Sequence, residues 1–187
     1  PGEWFLDEKE GFLYYYPRQN EPPDTITLPM LSTLVKLSGT LSAPVQNISF
    51  EGITFSHTGW NRPSETGYID VQANTFLPVP HDRRGDPQYR HNQKKERIPA
   101  ALTIHSGKKI RIEDCTFEEL GGTGLTFNYG GSENVIASNR FRQIAGSAIE
   151  VGNSAYRPDD ARMWPRRYLI HNNDIQHIGT EYFGSIG

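Results

Sequence analysis

A six-residue frame with apolar ends recurs four times along the chain, as Phe50-x4-Phe55, Ile112-x4-Phe117, Ile136-x4-Phe141 and Ile170-x4-Ile175. An aliphatic residue follows three positions after the last three frames, at Leu120, Ile144 and Ile178, and glycine comes soon after at Gly121, Gly146 and Gly179. Beyond each glycine, apolar and polar residues alternate as in a half-buried strand: Leu125 to Phe127, Ile149 to Val151 and Phe183 to Ser185. Earlier strands of the same kind are Val35 to Leu37, Ile69 to Val71 and Leu102 to Ile104. Successive strand starts lie 23 (Leu102 to Leu125), 24 (Leu125 to Ile149) and 34 (Ile149 to Phe183) residues apart, so the last interval holds an insertion of about ten. Short strands, a period in the low twenties and glycine corners without helical periodicity predict an all-β solenoid whose coils stack as parallel sheets. A leucine-rich repeat would need a leucine-asparagine signature that is missing. Asn139 and Asn173 share one slot in successive coils, where side-chain amides can form a ladder, with Cys115 and Ile53 in that slot elsewhere. Cys115 therefore reads as a buried, inert thiol.

Three segments leave the pattern. Residues 3–16 read as two strands around a turn ending at Gly11, and Pro17 to Pro29 as loop, giving an N-terminal β-hairpin and linker over 1–29 ahead of coils over 30–187. Trp4 and Tyr14 to Tyr16 are expected to stabilise the hairpin and cover the solenoid. Two long loop insertions, about 73–97 and 152–167, break the coils, and long loops on one edge of a rigid scaffold commonly build a binding site. With 187 residues, 35% of them hydrophobic, the chain has the bulk of one domain. Its net charge of -3, with both signs interspersed, gives no polycationic surface for nucleic acid or an anionic membrane. No apolar run approaches the roughly 18 residues of a membrane helix. One cysteine excludes disulfide frameworks and cysteine-based zinc sites. A start at Pro1 and an end within an expected strand at Ser185 to Gly187 lead us to expect a piece of a longer chain, with the remaining coils packing on the C-terminal end.

The sequence resembles the right-handed parallel β-helix proteins of the pectin-lyase-like type, and among them a bacterial carbohydrate-active group close to glycoside hydrolase family 141. The resemblance rests on residues 1–7 with 13–17, on Gly67 to Gln72, on Leu120 to Leu125, on Gly146 to Gly152 and on Ile178 to Gly187. It implies a right-handed parallel β-helix and a secreted or periplasmic hydrolase of plant cell-wall polysaccharide. The expected partner is a polysaccharide or oligosaccharide, with no cofactor, no nucleic acid and no membrane. It also implies that catalytic acids can lie partly beyond Gly187. The architecture is more specific than the reaction, because that fold hosts hydrolases, lyases, epimerases, esterases and adhesins.

Stacked coils place equivalent residues about 4.8 Å apart, so alignment columns become rows on a sheet. One expected outward row runs Lys36, Asp70, Thr103, Thr126, Glu150 and Gly184, and the next runs Gln72, His105, Asn128 and Gly152. Such a face can match sugar hydroxyls or can simply be solvated. We read Asp70, Gln72, His105 and Asn128 as substrate-binding candidates, joined by Trp164 and Tyr182, whose rings suit pyranose faces; Trp60, Tyr68 and Tyr129 are further aromatic candidates. Glycoside hydrolysis usually needs two carboxyl groups, about 5–5.5 Å apart for retention or about 6.5–9.5 Å for inversion. Asp70 and Glu150, three coils apart in this reading, would be separated by about 14 Å, too far to share one bond. Glu150 and Glu181 lie on neighbouring coils out of register, at roughly 11 Å, and are the catalytic candidates. Against these roles, Glu181 can cap a turn and Glu150 can pair with a Lys or Arg. Asp159 or Asp160 could reach Glu150 from the second insertion.

Other chemistries find little support. Ser106 to Lys109 lacks the first glycine and last hydroxyl residue of a P-loop, and Gly122 to Gly124 lacks the third glycine of a dinucleotide fingerprint. His81 and His91, with Asp82 and Asp86, match no zinc spacing, so no metal is expected. A non-catalytic glycan-binding or adhesin β-helix and a polysaccharide lyase remain the alternatives to a hydrolase using paired carboxylates.

Overall fold

The computed structural model describes residues 2–7, 9–19, 26–63, 69–72, 74–77, 95–152 and 160–184, with the side chains of 69–72 excepted. Its architecture is nearly all-β and dominated by three parallel four-stranded sheets. Sheet I stacks Val35–Ser38, Ala100–His105, Thr123–Asn128 and Ile149–Val151. Sheet II stacks Ser49–Glu51, Arg111–Glu113, Val135–Ala137 and Leu169–His171. Sheet III stacks Thr54–Thr58, Thr116–Leu120, Arg140–Ile144 and Asp174–Ile178. Each circuit of the chain lays one strand in each sheet, and the repeat alignment reproduces the register. Leu102 pairs with Leu125 and Leu125 with Ile149; Ile112 pairs with Ile136, and Phe117 with Phe141.

Because strand neighbours stand one sheet spacing apart, identical core residues touch face to face. The Phe55, Phe117 and Phe141 rings stack with centroids 4.8 Å apart at both steps. Around them Leu102, Ile104, Ile112, Leu125, Phe127, Ile136 and Ile144 are fully buried. The corners repeat too. Gly52, Asp114, Ser138 and Asn172 all carry φ between 51° and 64° where sheet II gives way to sheet III, and Asn47, Lys109, Glu133 and Arg167 do the same ahead of sheet II. A left-handed residue costs about 1–2 kcal/mol, but here each turn stacks on the last through a backbone bond, such as Asp114 N to Ala137 O at 3.2 Å.

The amide ladder forms one residue further on. Asn139 accepts from Cys115 N through Oδ1 and donates from Nδ2 to Ile112 O, both at 2.9 Å; Asn173 repeats the pattern on Asn139 N and Ile136 O. Asn134 forms a second ladder with Ile110 N and Gly107 O. Cys115 is buried, and burial pushes its thiol pKa up.

Three expectations are corrected. Ile69–Gln72, which alternates like a coil strand, joins no parallel sheet: it pairs antiparallel with Thr75–Leu77, which pairs antiparallel with Glu96–Arg97. Asp70 and Gln72 therefore belong to a separate excursion sheet, not to the rows of sheet I. Alternation reports one buried face and is blind to the partner that buries it. Phe183 and Gly184 form a turn, with Phe183 exposed, rather than a strand. The N-terminal hairpin forms as expected, Trp4–Asp7 against Phe12–Tyr15, but Trp4, Tyr14 and Tyr16 are mostly exposed. Its rings contact each other instead, as Phe5 does Tyr14 at 6.5 Å.

Candidate functional site

The paired strands of sheet I place Lys36, Thr103, Thr126 and Glu150 in one row and Ser38, His105 and Asn128 in the next. The excursion covers one end of these rows. Asn74, buried and left-handed at φ 57°, donates its side-chain amide to Thr123 Oγ1 at 2.6 Å and to Glu150 Oε1. Arg97, at the end of the excursion, donates to Asn128 Oδ1 and to Gly152 O, each at 2.6 Å, and stands 3.2 Å from Glu150 Oε2. The Thr126 hydroxyl completes the set, donating to Glu150 Oε2 at 3.4 Å. Glu150 is left with a side chain 10% exposed. Burial raises its pKa, and the charge of Arg97 and the hydrogen bonds from Asn74 and Thr126 oppose that rise without cancelling it. Arg97 Nε is buried with no partner among the described residues.

One strand further, the rows open. His105 stacks on Tyr129 with centroids 5.4 Å apart and an interplanar angle of 20°, and the two rings wall a cavity of about 360 Å³ that also touches Lys36 and Thr40. Burial, and then the charge of Lys36, lower the His105 pKa, so the imidazole there is a neutral hydrogen-bonding group near pH 7. A second cavity of about 220 Å³ adjoins it, sharing Thr40, Leu41 and Ser106. Trp164 lies on its wall, after the short helical turn Ala161–Met163.

The remaining candidates are held by other contacts or lie outside the described residues. Tyr182 packs edge-on against Trp60 at 5.0 Å, and Trp60 does the same against Phe76, so these rings join the C-terminal turn to the excursion. Burial and the neighbouring Glu181 push the Tyr182 hydroxyl up to about 12. Glu181 is exposed, and its backbone N–H donates to Ala145 O at 3.3 Å. Asp160 pairs with Arg162 at 2.6 Å. Among the described residues no second carboxylate hydrogen-bonds within the Glu150 cluster, and no three His, Cys, Asp or Glu side chains are grouped as a metal would need. The side chains of Asp70 and Gln72, and residues Tyr68, His81, Asp82, Asp86, His91 and Asp159, lie outside what is described.

The chain matches a solved structure named glycoside hydrolase with a TM-score of 0.84 and 33% sequence identity, covering 98% of this chain. This chain has a glycoside hydrolase-like fold. It spans 34% of that structure's length, so the likeness concerns about a third of the other protein. No protein-family model matches the chain, and no curated protein matches it.

Sequence reasoning missed Asn74 and Arg97, the two residues that hold Glu150 from outside the circuits. Neither lies on the repeat, so periodicity carries no signal for them. The one available hint was that a carboxylate facing outward from a sheet needs a cation or donors once anything covers it.

Proposed function

We propose that the chain is a stretch of right-handed parallel β-helix from a bacterial, secreted or periplasmic glycoside hydrolase acting on plant cell-wall polysaccharide. The observation that carries the reading is the 33% identity sustained over 98% of the chain to a protein named glycoside hydrolase. Circuits that lay one strand in each of three parallel sheets support the β-helix assignment.

In this reading Glu150 is the proton donor. A carboxyl group whose pKa is raised by burial keeps its proton further toward neutrality, as a general acid must. Donation to a glycosidic oxygen requires one of the residues on its carboxyl oxygens, Asn74, Thr126 or Arg97, to yield its place to the sugar. Glu181, exposed on the next circuit, supplies the second carboxylate, which attacks the anomeric carbon or activates water. The test is release of reducing ends from a panel of cell-wall polysaccharides by the full chain. Glu150→Gln and Glu181→Gln should each lower turnover by about 10²-fold or more. Unchanged turnover in both would remove these residues from the mechanism.

A second reading has an observation of its own. Both oxygens of Glu150 already accept hydrogen bonds, which suits a residue that fixes the excursion on a non-catalytic glycan-binding surface. That protein would bind oligosaccharide without releasing reducing ends, and Glu150→Gln would alter stability alone.

A further inference from the structure

The second cavity combines charge with an aromatic wall in a way the hydrolytic site does not use. Lys108, Ser132 and Arg166 bridge one another in parallel at the corner between sheets I and II. At about 4.8 Å per step, Lys108 and Arg166 have backbones about 10 Å apart with a serine between them. Both side chains line the same cavity, as do Trp164, Arg162 and Arg167. Gly131 lies beside this row with φ 98°, and a Cβ there would fall 2.6 Å from the Gly107 carbonyl, so the corner stays bare of side chain at that point.

The four cations are not equally committed. Arg162 is matched by Asp160, whose carboxyl is held down at about 2, chiefly by its hydrogen bonds with Arg162, and so stays ionised. Arg167 is matched by Glu133 at 2.9 Å. Arg166 donates to the carbonyl of Ala161 at 2.6 Å and shares the charge of Asp160 with Arg162, and Lys108 has no acidic partner among the described residues. Among the described residues these four cations face two carboxylates, Asp160 and Glu133, which leaves positive charge in excess beside Trp164, which is 44% exposed. The adjoining cavity continues the surface to Tyr129, 46% exposed and backed by His105.

We infer that this double cavity is a subsite for an acidic sugar, with a carboxylate or sulfate held between Lys108 and Arg166, its ring on Trp164, and the next ring of the oligosaccharide on Tyr129. The inference rests on the carbohydrate reading above and adds to it a charge class of substrate. Charge-assisted hydrogen bonds supply the discrimination and the aromatic faces supply contact that is blind to charge.

Calorimetric titration of the full chain tests it with three ligands: cellotriose, cellotriose with its terminal ring oxidised to glucuronate, and cellotriose carrying a sulfate ester on that ring. At least one acidic ligand should bind about tenfold or more tightly than the neutral one, and the stronger of the two identifies the anionic group. Lys108→Ala and Arg166→Ala should each remove most of that preference, while Trp164→Ala weakens acidic and neutral ligands by the same factor. Equal binding of all three ligands, no saturable binding of any, or an acidic preference that survives the double substitution would overturn the subsite. Polysaccharide turnover, measured in parallel, separates this from the functional reading. Turnover with no acidic preference defeats the subsite alone, and an acidic preference with no turnover defeats the hydrolase alone. Thermal melts of the variants, whose changes lie at the surface, report whether each remains folded.

Discussion

Arg97 stands 3.2 Å from Glu150 Oε2 and donates to the carbonyl of Gly152 at 2.6 Å, so one guanidinium ties the end of the excursion to the last strand of sheet I. Both side chains are mostly buried, which makes the pair asymmetric: removing one partner leaves a desolvated charge, while removing both does not.

Arg97→Ala should therefore destabilise the chain by about 3–5 kcal/mol. Adding Glu150→Ala should recover part of that loss, so the double variant is less unstable than the sum of the singles. Urea unfolding of the four proteins checks it; strict additivity would mean that the two groups do not interact.

Two groups give stability an opposite dependence on pH. His105 has a lowered pKa in the fold, so the unfolded chain binds its proton first. Its contribution is present above its ordinary value near 6.5 and is lost as pH falls through the lowered folded value. Glu150 has a raised pKa in the fold, so its contribution is full below the ordinary 4.5 and is lost as pH rises through the raised folded value. His105→Gln should flatten the acid-side slope below pH 6.5, and Glu150→Gln the slope above pH 4.5, in urea midpoints measured across pH. Lys36→Ala should raise the His105 pKa by less than the whole shift, because burial is the larger cause; NMR titration of the imidazole reads this directly.

Asn139 is buried and joins Cys115 N, Ile112 O and Asn173 Oδ1 across three circuits. Asn139→Ala strands the first two of these backbone groups and should cost about 2–4 kcal/mol. Asn173→Ala, at a half-buried position, should cost less. Equal losses in chemical denaturation would show that burial does not set the value of this ladder.

The three-sheet frame was legible because stacking forces like onto like. A residue 4.8 Å above its counterpart meets the same neighbours, so Phe117 and Phe141, or Asn139 and Asn173, recur in the sequence as they do in space. Ile69–Gln72 misled because alternation in sequence does not distinguish an antiparallel partner from a parallel one. Glu150 was found from its row, whereas Arg97 and Asn74, which decide its environment, come from a segment with no period. The corner stack of Lys108, Ser132 and Arg166 was hidden for another reason: a turn fixed by its backbone accepts almost any side chain, so composition there follows no rule a reader could apply.

Val35 pairs with Leu102 across 67 residues of chain, in the same register as Leu102 pairs with Leu125 across 23. Contact order and strand geometry are thereby uncoupled: a strand finds its place from the layer beneath it, however much chain intervenes. Loops leaving between layers can then change length, composition and charge while the hydrocarbon interior keeps its arrangement. A scaffold of this kind lets recognition diversify on its rim at little cost to folding, and two such rims, one organised by Arg97 and one by Arg166, already flank the same sheet.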